Sequence, residues 1–284
     1  MATPNLTIAG NKCVYNLGAK LAKLDSFAHD YGYSDADVGA VVEMPLLATE
    51  ASDFNVLSNN YEGGAEVGTA KINVDKHLIA GFNVTQMQMN DGLGAFGGLF
   101  ADMGLTAGRA IAAGIEKAVI GQVTDDLSSS LSATLTATKA GFANLWKTCA
   151  DANIDPSYSV LVLNPENYAK FLDAIPGTIV NLQTAIETGI VENFLGFKRV
   201  ISSKYVDADL AGFIATDNAI GVVSRRLPLI AEYPVAESAV SEESGLAITL
   251  LGHQNYATGK FYISANALFG TGVLDETQIV RLKV

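Results

Sequence analysis

Charged residues are scarce in this sequence. Asp, Glu, Lys and Arg together make up 17% of the 284 residues, whereas about 25% is typical of soluble domains. A chain with so little charge and 49% hydrophobic residues is expected to cover part of its surface with partner chains. Acidic residues outnumber basic ones by 30 to 18, for a formal net charge of -12. Since affinity for nucleic-acid backbones comes from clustered Lys and Arg, this balance argues against direct nucleic-acid binding.

Cysteine and histidine are also rare, and their positions indicate neither a metal site nor a disulfide framework. The two cysteines, Cys13 and Cys149, are far apart and form no CxxC motif. The histidines, His29, His77 and His253, occur in no HxH, HxxxH or HExxH pattern. We therefore expect two reduced, buried cysteines and no bound metal.

Motifs of catalysis, secretion and membrane insertion are missing as well. The chain contains no GxSxG elbow, P-loop or SxxK nucleophile, and the adjacent carboxylates Asp125 and Asp126 do not point at one substrate. No charge-free apolar run approaches the roughly 18 residues that suggest a membrane helix. The N-terminal sequence MATPNLTIAG lacks a basic segment followed by an apolar one. We therefore expect a non-enzyme that needs no cofactor, enters no membrane and is synthesised in a cytoplasm.

What the sequence does contain is a candidate for one long central helix, from Phe100 to Val123. Its larger apolar residues recur at spacings near four and form one stripe, which comprises Met103, Ala107, Ile111, Ile115 and Val119. About 24 residues at 1.5 Å each give a rod of roughly 36 Å, so something extended should lie along it. Three internal glycines, Gly104, Gly108 and Gly114, each cost about 1 kcal/mol relative to alanine. They predict that backbone from elsewhere packs closely against this helix.

The residues before this helix form a GxGxxG pattern, from Gly92 to Gly97. In dinucleotide-binding proteins such a pattern opens a helix, and an acidic residue follows at the end of a second strand. Here the acidic residue at the corresponding distance is Glu116, which lies inside the predicted helix. A flexible hinge is therefore the favoured interpretation, and a nucleotide-binding enzyme using Gly92 to Gly97 is a remote alternative.

The N-terminal part is predicted to start with a helix and continue into strands. Residues 12–30 carry apolar side chains at helical spacing and predict a short helix suited to clasp a neighbouring subunit. A turn-rich join from Tyr31 to Asp37 leads to a β-prone run from Val41 to Leu47, which contains Pro45 and suits an edge or the foot of a hairpin.

A long hairpin is predicted next. Two extended stretches, Asp53 to Tyr61 and Glu66 to Asp75, are joined by Glu62-Gly63-Gly64-Ala65, a strong turn signal. The second stretch has too few large apolar groups for burial in its own domain, and an isolated hairpin is marginal in water. We therefore expect the hairpin to lie on an adjacent subunit. The residues predicted to make this contact are Phe54, Val56, Tyr61, Gly63, Gly64, Lys71 and Asp75.

The remaining chain predicts further strands and a second lobe. His77 to Met89 is expected to be a strand with Leu78, Ala80, Phe82 and Val84 on one face. From Thr124 a Ser/Thr/Ala-rich passage leads into an α/β pattern. There a helix from Phe142 to Asn153 is expected to bury Leu145, Trp146, Cys149 and Ala150, and Asn164 and Pro165 are expected to cap and begin another. The predicted strands and loop are Ser159 to Leu163, Phe197 to Ser202, Phe213 to Ala215, Ala219 to Ser224, Leu227 to Tyr233, a polar loop AESAVSEESG, Leu246 to Leu251, Tyr262 to Phe269 and Gln278 to Val284; Val180 to Glu187 is helix-like.

Several of these stretches resemble the major capsid proteins of tailed bacteriophages. TAKINVDKHLIAGFNVT, from Thr69 to Thr85, is similar to the outgoing strand of the family's extended loop. SVLVLNPENYAKFL, from Ser159 to Leu172, is similar to its strand, Asn-Pro and helix. GIVENFLGFKRVISSKYV and ALFGTGVLDETQIVRLKV resemble its Gly-Phe-x-x-Val-x-x-Ser turn and its closing strands. The order matches from about residue 10 to the end, so the collinearity of the motifs carries the resemblance.

The resemblance implies an α+β fold of the Hong Kong 97 type with an extended β-hairpin loop, a long spine helix and an inserted axial α/β domain. On this reading residues 1–40 form an N-terminal arm and residues 41–85 the extended loop with its flanking strands. Residues 86–130 form the peripheral domain with the spine helix, residues 131–240 the axial domain, and residues 241–284 the return strands of the peripheral domain.

The function implied by the resemblance is that of a structural subunit of an icosahedral phage head. Copies of the chain would form pentamers and hexamers, assembled in the host cytoplasm, that enclose double-stranded DNA without sequence-specific binding. Scaffold, portal and decoration proteins are further partners implied by the family. An encapsulin-like cellular shell that holds enzyme cargo is the alternative of the same fold.

Overall fold

The computed structural model describes residues 6–21, 24, 28–33, 41–47, 67–85, 98–127, 130–174, 189–194, 196–217, 219–227, 235–240, 246–255 and 257–283. Its helices are α1 (Leu6–Leu21), α2 (Gly98–Ile120), α3 (Lys139–Asp151) and α4 (Pro165–Ala174). Its strands are β1 (Ala28–Tyr33), β2 (Val41–Leu47), β3 (Val67–Asn73), β4 (Lys76–Thr85), β5 (Leu131–Thr134), β6 (Ser159–Leu163), β7 (Ile190–Phe194), β8 (Phe197–Ser202), β9 (Leu210–Thr216), β10 (Ile220–Arg225), β11 (Val235–Val240), β12 (Ala247–Asn255), β13 (Lys260–Val273) and β14 (Ile279–Lys283).

The long central helix is confirmed as α2, which we call the spine helix. The predicted stripe is its buried face, since Ala107, Ile111, Ile115 and Val119 are each no more than 2% exposed and Met103 packs partly buried against the same core. Successive buried residues lie about one turn apart, as 3.6 residues per turn requires. The stripe therefore identified the face of the helix that packs in the core.

Gly104 and Gly108 of the spine helix mark close backbone contacts, as predicted, whereas the third glycine, Gly114, meets a side chain instead. A Cβ on Gly104 would lie 2.2 Å from the carbonyl oxygen of Ala9, and one on Gly108 would lie 2.5 Å from that of Cys13. Asn16, in the next turn of α1, donates from Nδ2 to the carbonyl oxygen of Leu105 at 2.7 Å. Helix α1 thus packs with its backbone directly on the spine helix.

Helix α1 differs from the prediction in position and in partner. It covers Leu6–Leu21 rather than residues 12–30, because Ala9, Cys13, Leu17 and Leu21 recur every four residues and are all buried. It packs on the spine helix of its own chain. The chain then forms β1, which pairs in parallel with β10, where a turn-rich join was predicted.

The first sheet has the strand order β1-β10-β13-β12-β11, with β4 on β13. Both β12 and β4 pair antiparallel with residues 260–266 of β13, so they flank it. Strand β4 alternates as predicted: Leu78, Ala80 and Phe82 pack on the core, while the residues between them are exposed. The spine helix contacts the inner face of this sheet, where Gly114 lies against the side chain of Leu78.

The second sheet has the order β5-β14-β9-β6-β8-β7. Strand β6 is buried at all five positions, in agreement with its continuous apolar run. The cap of α4 is also confirmed, since Asn167 N donates to Asn164 Oδ1 at 2.8 Å and Pro165 opens the helix. In α3, Phe142, Leu145 and Cys149 are buried.

The inward face of α3 was predicted incorrectly at two positions, because Trp146 is 51% exposed and Ala150 is exposed as well. The four predicted residues form a stripe two residues wide along the helix. Only the half with Leu145 and Cys149, which continues to Phe142, is buried.

One apolar core connects the two sheets through the spine helix. It includes Ile111 and Ile115 of the spine helix, Ile263 of the first sheet, and Phe213 and Ile279 of the second. A second cluster lies between the second sheet and helices α3 and α4, around Phe171. The spine helix therefore belongs to the apolar core that both sheets share.

The strands of the two sheets are interleaved along the sequence. Strands β10 and β11, within the predicted axial segment, belong to the first sheet, and β11 occupies part of the predicted polar loop. Strand β14, predicted among the peripheral return strands, lies between β5 and β9 in the second sheet. Its apolar residues Ile279, Val280 and Leu282 are fully buried there. Sequence order therefore does not separate the two sheets.

Candidate assembly surfaces

Strands β2 and β3 form an antiparallel pair, in agreement with the prediction that Val41 to Leu47 suits an edge or the foot of a hairpin. Strand β3 pairs antiparallel with β2, from Val41 opposite Asn73 to Leu47 opposite Val67. The prediction had paired β3 with Asp53 to Tyr61, which lies outside the described residues, as do the predicted contact residues Phe54, Val56, Tyr61, Gly63 and Gly64. The sequence correctly predicted both β2 and β3 as strands. It did not predict that they pair, because residues 48–66 separate them in the chain.

Two predicted contact residues, Lys71 and Asp75, are described and exposed. Lys71 is the cross-strand partner of Glu43, and its Nζ lies 3.0 Å from Glu43 Oε1. Both side chains are about 60% exposed, so this ion pair contributes at most about 1 kcal/mol to stability. Both residues are accessible to a partner chain.

The base of the hairpin packs on its own subunit, in contrast to the expectation that its second stretch lies on another. Ile72 and Val74 are each 1% exposed. They form a cluster with Val223, Leu268 and Leu274 of the body. The alternation of Ile72 and Val74 with polar residues was visible in the sequence, but the apolar surface that receives them comes from chain about 150 to 200 positions later.

The outer face of the first sheet carries exposed apolar and aromatic groups. Ile79 on β4 is 62% exposed. The rings of His253 and Tyr262, which face each other across β12 and β13, are stacked with centroids 5.3 Å apart and planes 11° apart. A cleft of about 290 Å³ lies beside them and reaches Phe82 and Asn83 of β4. This face offers a surface on which an extended segment could lie.

The second sheet also exposes large side chains. Trp146 on α3 and Tyr158, just before β6, are 51% and 65% exposed. The edge of the Trp146 ring lies against Gly196 in the turn between β7 and β8, where a Cβ would be 2.5 Å from Cζ2. Gly196 has a φ of +77°, which favours glycine for a second reason. The ring is thus held in place while its outer side stays accessible.

Asp125 contacts two basic side chains of β14. Its Oδ1 lies 2.8 Å from Lys283 Nζ, and Arg281 Nη1 donates to its main-chain oxygen and approaches Oδ1 at 3.4 Å. The hydrogen bond from Lys283 lowers the pKa of Asp125, and the charges of Lys283 and Arg281 lower it further. These contacts fasten the C-terminal strand to the turn after the spine helix.

The described residues include no cluster of three or more His, Cys, Asp or Glu side chains that could hold a metal ion. His77 Nε2 lies 3.1 Å from Asn266 Oδ1, and His253 stacks on Tyr262. Burial raises the pKa of Cys13 to about 12 and that of Cys149 to about 11, so both thiols stay protonated and unreactive near neutral pH. Among the described helices, none is both long and apolar enough to cross a membrane.

A family model described as phage capsid protein matches residues 66–282, which is more than half of the chain. The chain belongs to the phage capsid protein family. It is therefore a structural protein of a capsid, and the resemblance noted in its sequence is confirmed. No curated protein matches the chain.

Solved capsid structures share its fold. A virus-like particle from Pyrococcus furiosus has a TM-score of 0.60 at 14% identity, covering 97% of this chain and 97% of that chain. The capsid of Ralstonia phage GP4 gives 0.57 at 11% identity, covering 90% and 86%. Mycobacterium phage Che8 gives 0.53 at 14% identity, covering 86% and 84%. The capsid protein thus has the Hong Kong 97-type fold predicted from its sequence.

The polar contacts that connect the parts of this capsid protein were missed by the sequence reasoning. Glu116 of the spine helix accepts a hydrogen bond from Ser203, 87 positions away, and Lys76 donates to Thr271, 195 positions away. Neither pair belongs to a local motif, so no spacing rule could have found them.

Proposed function

We propose that this protein is the subunit of an icosahedral phage head that assembles into pentamers and hexamers around double-stranded DNA. The family match over residues 66–282 carries the proposal. The capsid neighbours and the hairpin with exposed Lys71 and Asp75 support it. The head is assembled in the host cytoplasm, with scaffold, portal and decoration proteins as further partners.

The proposed mechanism is geometric rather than catalytic. Each hairpin contacts the neighbouring subunit, and such head-to-tail contacts close into rings when the rotation between subunits fits. The contact residues are Phe54, Val56, Tyr61, Gly63, Gly64, Lys71 and Asp75. The stacked His253 and Tyr262 and the exposed Ile79 mark the outer face of the first sheet as a surface that receives a neighbour.

The net charge of -12 fits this role. A negatively charged wall repels the DNA backbone, so the enclosed genome does not adhere to the shell. DNA is therefore a content of the shell rather than a ligand with a sequence-specific site.

Assembly of the purified chain tests the proposal directly. The protein is expressed alone, fractionated by sedimentation and imaged by negative-stain electron microscopy. Closed shells or rings of five and six subunits are expected. A monodisperse monomer at all concentrations and ionic strengths would contradict the assembly proposal.

A shorter hairpin tests the intersubunit contact. Because Leu47 lies opposite Val67, residues 48–66 can be replaced by an Asn-Gly turn that keeps β2 and β3 paired. The buried Ile72 and Val74 remain in this variant. A soluble subunit that melts like the wild type but forms no shells is expected, whereas normal particles would exclude the loop as an assembly element.

An encapsulin-like shell is the second candidate, because the Pyrococcus furiosus virus-like particle covers 97% of both chains. Particles isolated from the native source distinguish the two. A phage head contains nuclease-resistant double-stranded DNA, whereas a cargo shell contains a second protein and no genome. A nucleotide-binding enzyme using Gly92 to Gly97 has no support from the family match. An increase in melting temperature on addition of NAD or ATP would be the evidence in its favour.

A further inference from the structure

Three glycines of the first sheet leave room for the base of the hairpin. A Cβ on Gly270 would lie 2.3 Å from the carbonyl oxygen of Asn73, and one on Gly221 would lie 2.5 Å from Ile72 Cδ1. A Cβ on Gly272 would lie 3.3 Å from Ile72 Cγ1. We call Gly221, Gly270 and Gly272 the glycine seat. Any side chain at Gly270 must displace the main chain of Asn73, and main chain cannot rotate aside as a side-chain end can.

Ile72 lies in the glycine seat. It is 1% exposed and packs with Val74 against Val223, Leu268 and Leu274. Its neighbours along the strand, Lys71 and Asn73, are exposed. One apolar side chain therefore fixes the point at which the solvent-exposed hairpin meets the body.

A second attachment lies at the start of β4, where the hairpin ends. Lys76 donates from Nζ to Thr271 Oγ1, and the Thr271 hydroxyl lies 3.5 Å from the carbonyl oxygen of Ala118 in the spine helix. Partial burial lowers the pKa of Lys76, and the neighbouring Asp75 opposes that shift. Thr271 lies between the seat glycines Gly270 and Gly272. The hairpin is thus connected to the spine helix through the same stretch of β13 that forms the seat.

We propose that the glycine seat and the contact between Lys76 and Thr271 set the direction in which the hairpin leaves the body, and that this direction determines whether shells form. This inference rests on the proposed role of the hairpin in assembly. Each of the paired strands has seven residues, about 23 Å, so a tilt of about 10° at the base moves the far end by about 4 Å. Such a displacement separates side chains that must meet on a neighbouring subunit.

The direction of the hairpin can be measured without shells. Spin labels are attached to a Thr69→Cys, Thr106→Cys double variant, which places one label on β3 and one on the spine helix, both at exposed positions. Cys13 and Cys149 are buried with raised pKa values and do not compete for the label. Labelled protein is diluted with unlabelled protein, so that pulsed electron–electron double resonance reports the distance between the two labels within one subunit.

Gly270→Ala is the test substitution and Gly98→Ala its matched control. Gly98 begins the spine helix at an exposed position, and a Cβ there would meet no atom within 4 Å. For Gly270→Ala we expect the distribution of label distances to shift or broaden by several ångström and shells to be lost. Thermal unfolding of this variant should remain cooperative. The control should retain the wild-type distance and wild-type shells.

Two results would overturn the inference: a distance distribution in Gly270→Ala equal to that of the control, or a shifted distribution with normal shells. If Gly270→Ala is insoluble, Lys76→Met is read by the same two measurements, because it removes the bond to Thr271 without adding a clash. A wild-type distance in Lys76→Met would then reject the proposal. Absence of shells from the wild type would contradict the proposed function instead, while the distance comparison would still decide the role of the seat in hairpin direction.

Discussion

Ser203 Oγ donates a 2.7 Å hydrogen bond to Glu116 Oε1, which joins the turn after β8 to the C-terminal part of the spine helix. Ser203 is 3% exposed, and its hydroxyl also accepts a hydrogen bond from the main-chain N of Tyr205 at 3.3 Å. Tyr205 and Val206 pack beside it on the common core. Glu116 is partly buried, and its bond to Ser203 connects the spine helix to the second sheet.

Removal of this carboxylate should destabilise the subunit. Glu116→Ala leaves the buried Ser203 hydroxyl without its acceptor, which is expected to cost about 1.5 to 3 kcal/mol of unfolding free energy. Glu116→Gln keeps an acceptor oxygen and should cost less than about 1 kcal/mol. Urea unfolding of the unassembled subunit measures both. In a double-mutant cycle with Ser203→Ala, the two effects should be non-additive; additive effects would show that the bond contributes nothing.

Ile115 tests the buried face of the spine helix. It is 1% exposed in the core shared by both sheets, so Ile115→Asp would place an unpaired carboxylate in an apolar environment. The cost is several kcal/mol, comparable with the total stability of about 5 to 15 kcal/mol of a domain. We expect no soluble protein. The matched control is Lys117→Asp, at an exposed position two residues away, which should remain soluble. A cooperatively melting Ile115→Asp protein would contradict the assigned face.

The contact between α1 and the spine helix depends on Gly108. Gly108→Ala should destabilise the subunit by about 1 to 3 kcal/mol through overpacking against Cys13, despite the favourable helix propensity of alanine. Gly98→Ala is the control, because a Cβ there meets no atom within 4 Å. It should be neutral or stabilising by up to about 1 kcal/mol. Thermal melting compares the two; equal midpoints would show that α1 shifts without cost.

The Asp125 contact predicts a pH dependence. The folded-state pKa of Asp125 is lowered by Lys283, so its contribution to stability is present above the unfolded pKa of about 3.9 and is lost as the pH falls through the folded value. Asp125→Asn should therefore be less stable than the wild type between pH 5 and 7 by a constant difference. That difference should shrink below about pH 4. Urea titrations at several pH values measure it, and a difference that grows on acidification would refute the assignment.

Sequence patterns predicted most of the helices and strands, because the spacing of apolar residues determines which local structure can bury them. The stripe of Ile111, Ile115 and Val119 can be satisfied only by a helix that buries this face, and the continuous apolar run of β6 requires burial on both sides of a sheet. The glycines Gly104 and Gly108 also indicated close backbone contact, since no other reason offsets their cost in a helix. Of these stretches, β6 also belongs to a motif that carries the family resemblance, SVLVLNPENYAKFL.

Partners distant in the sequence were decided only by the tertiary structure. Strand β3 pairs with β2, although residues 48–66 separate them in the chain. Neither strand contains a signal that specifies its partner, because many strands with alternating apolar residues can pair antiparallel. Ile72 packs in a glycine seat formed by residues about 150 to 200 positions later, and Ser203 meets Glu116 across 87 positions. The sequence therefore determined which residues form the spine helix and most strands, together with the family. The tertiary structure decided which strands share a sheet. The burial of β14 and the packing of Ile72 depend on apolar surfaces that form only when distant parts of the chain come together in the core.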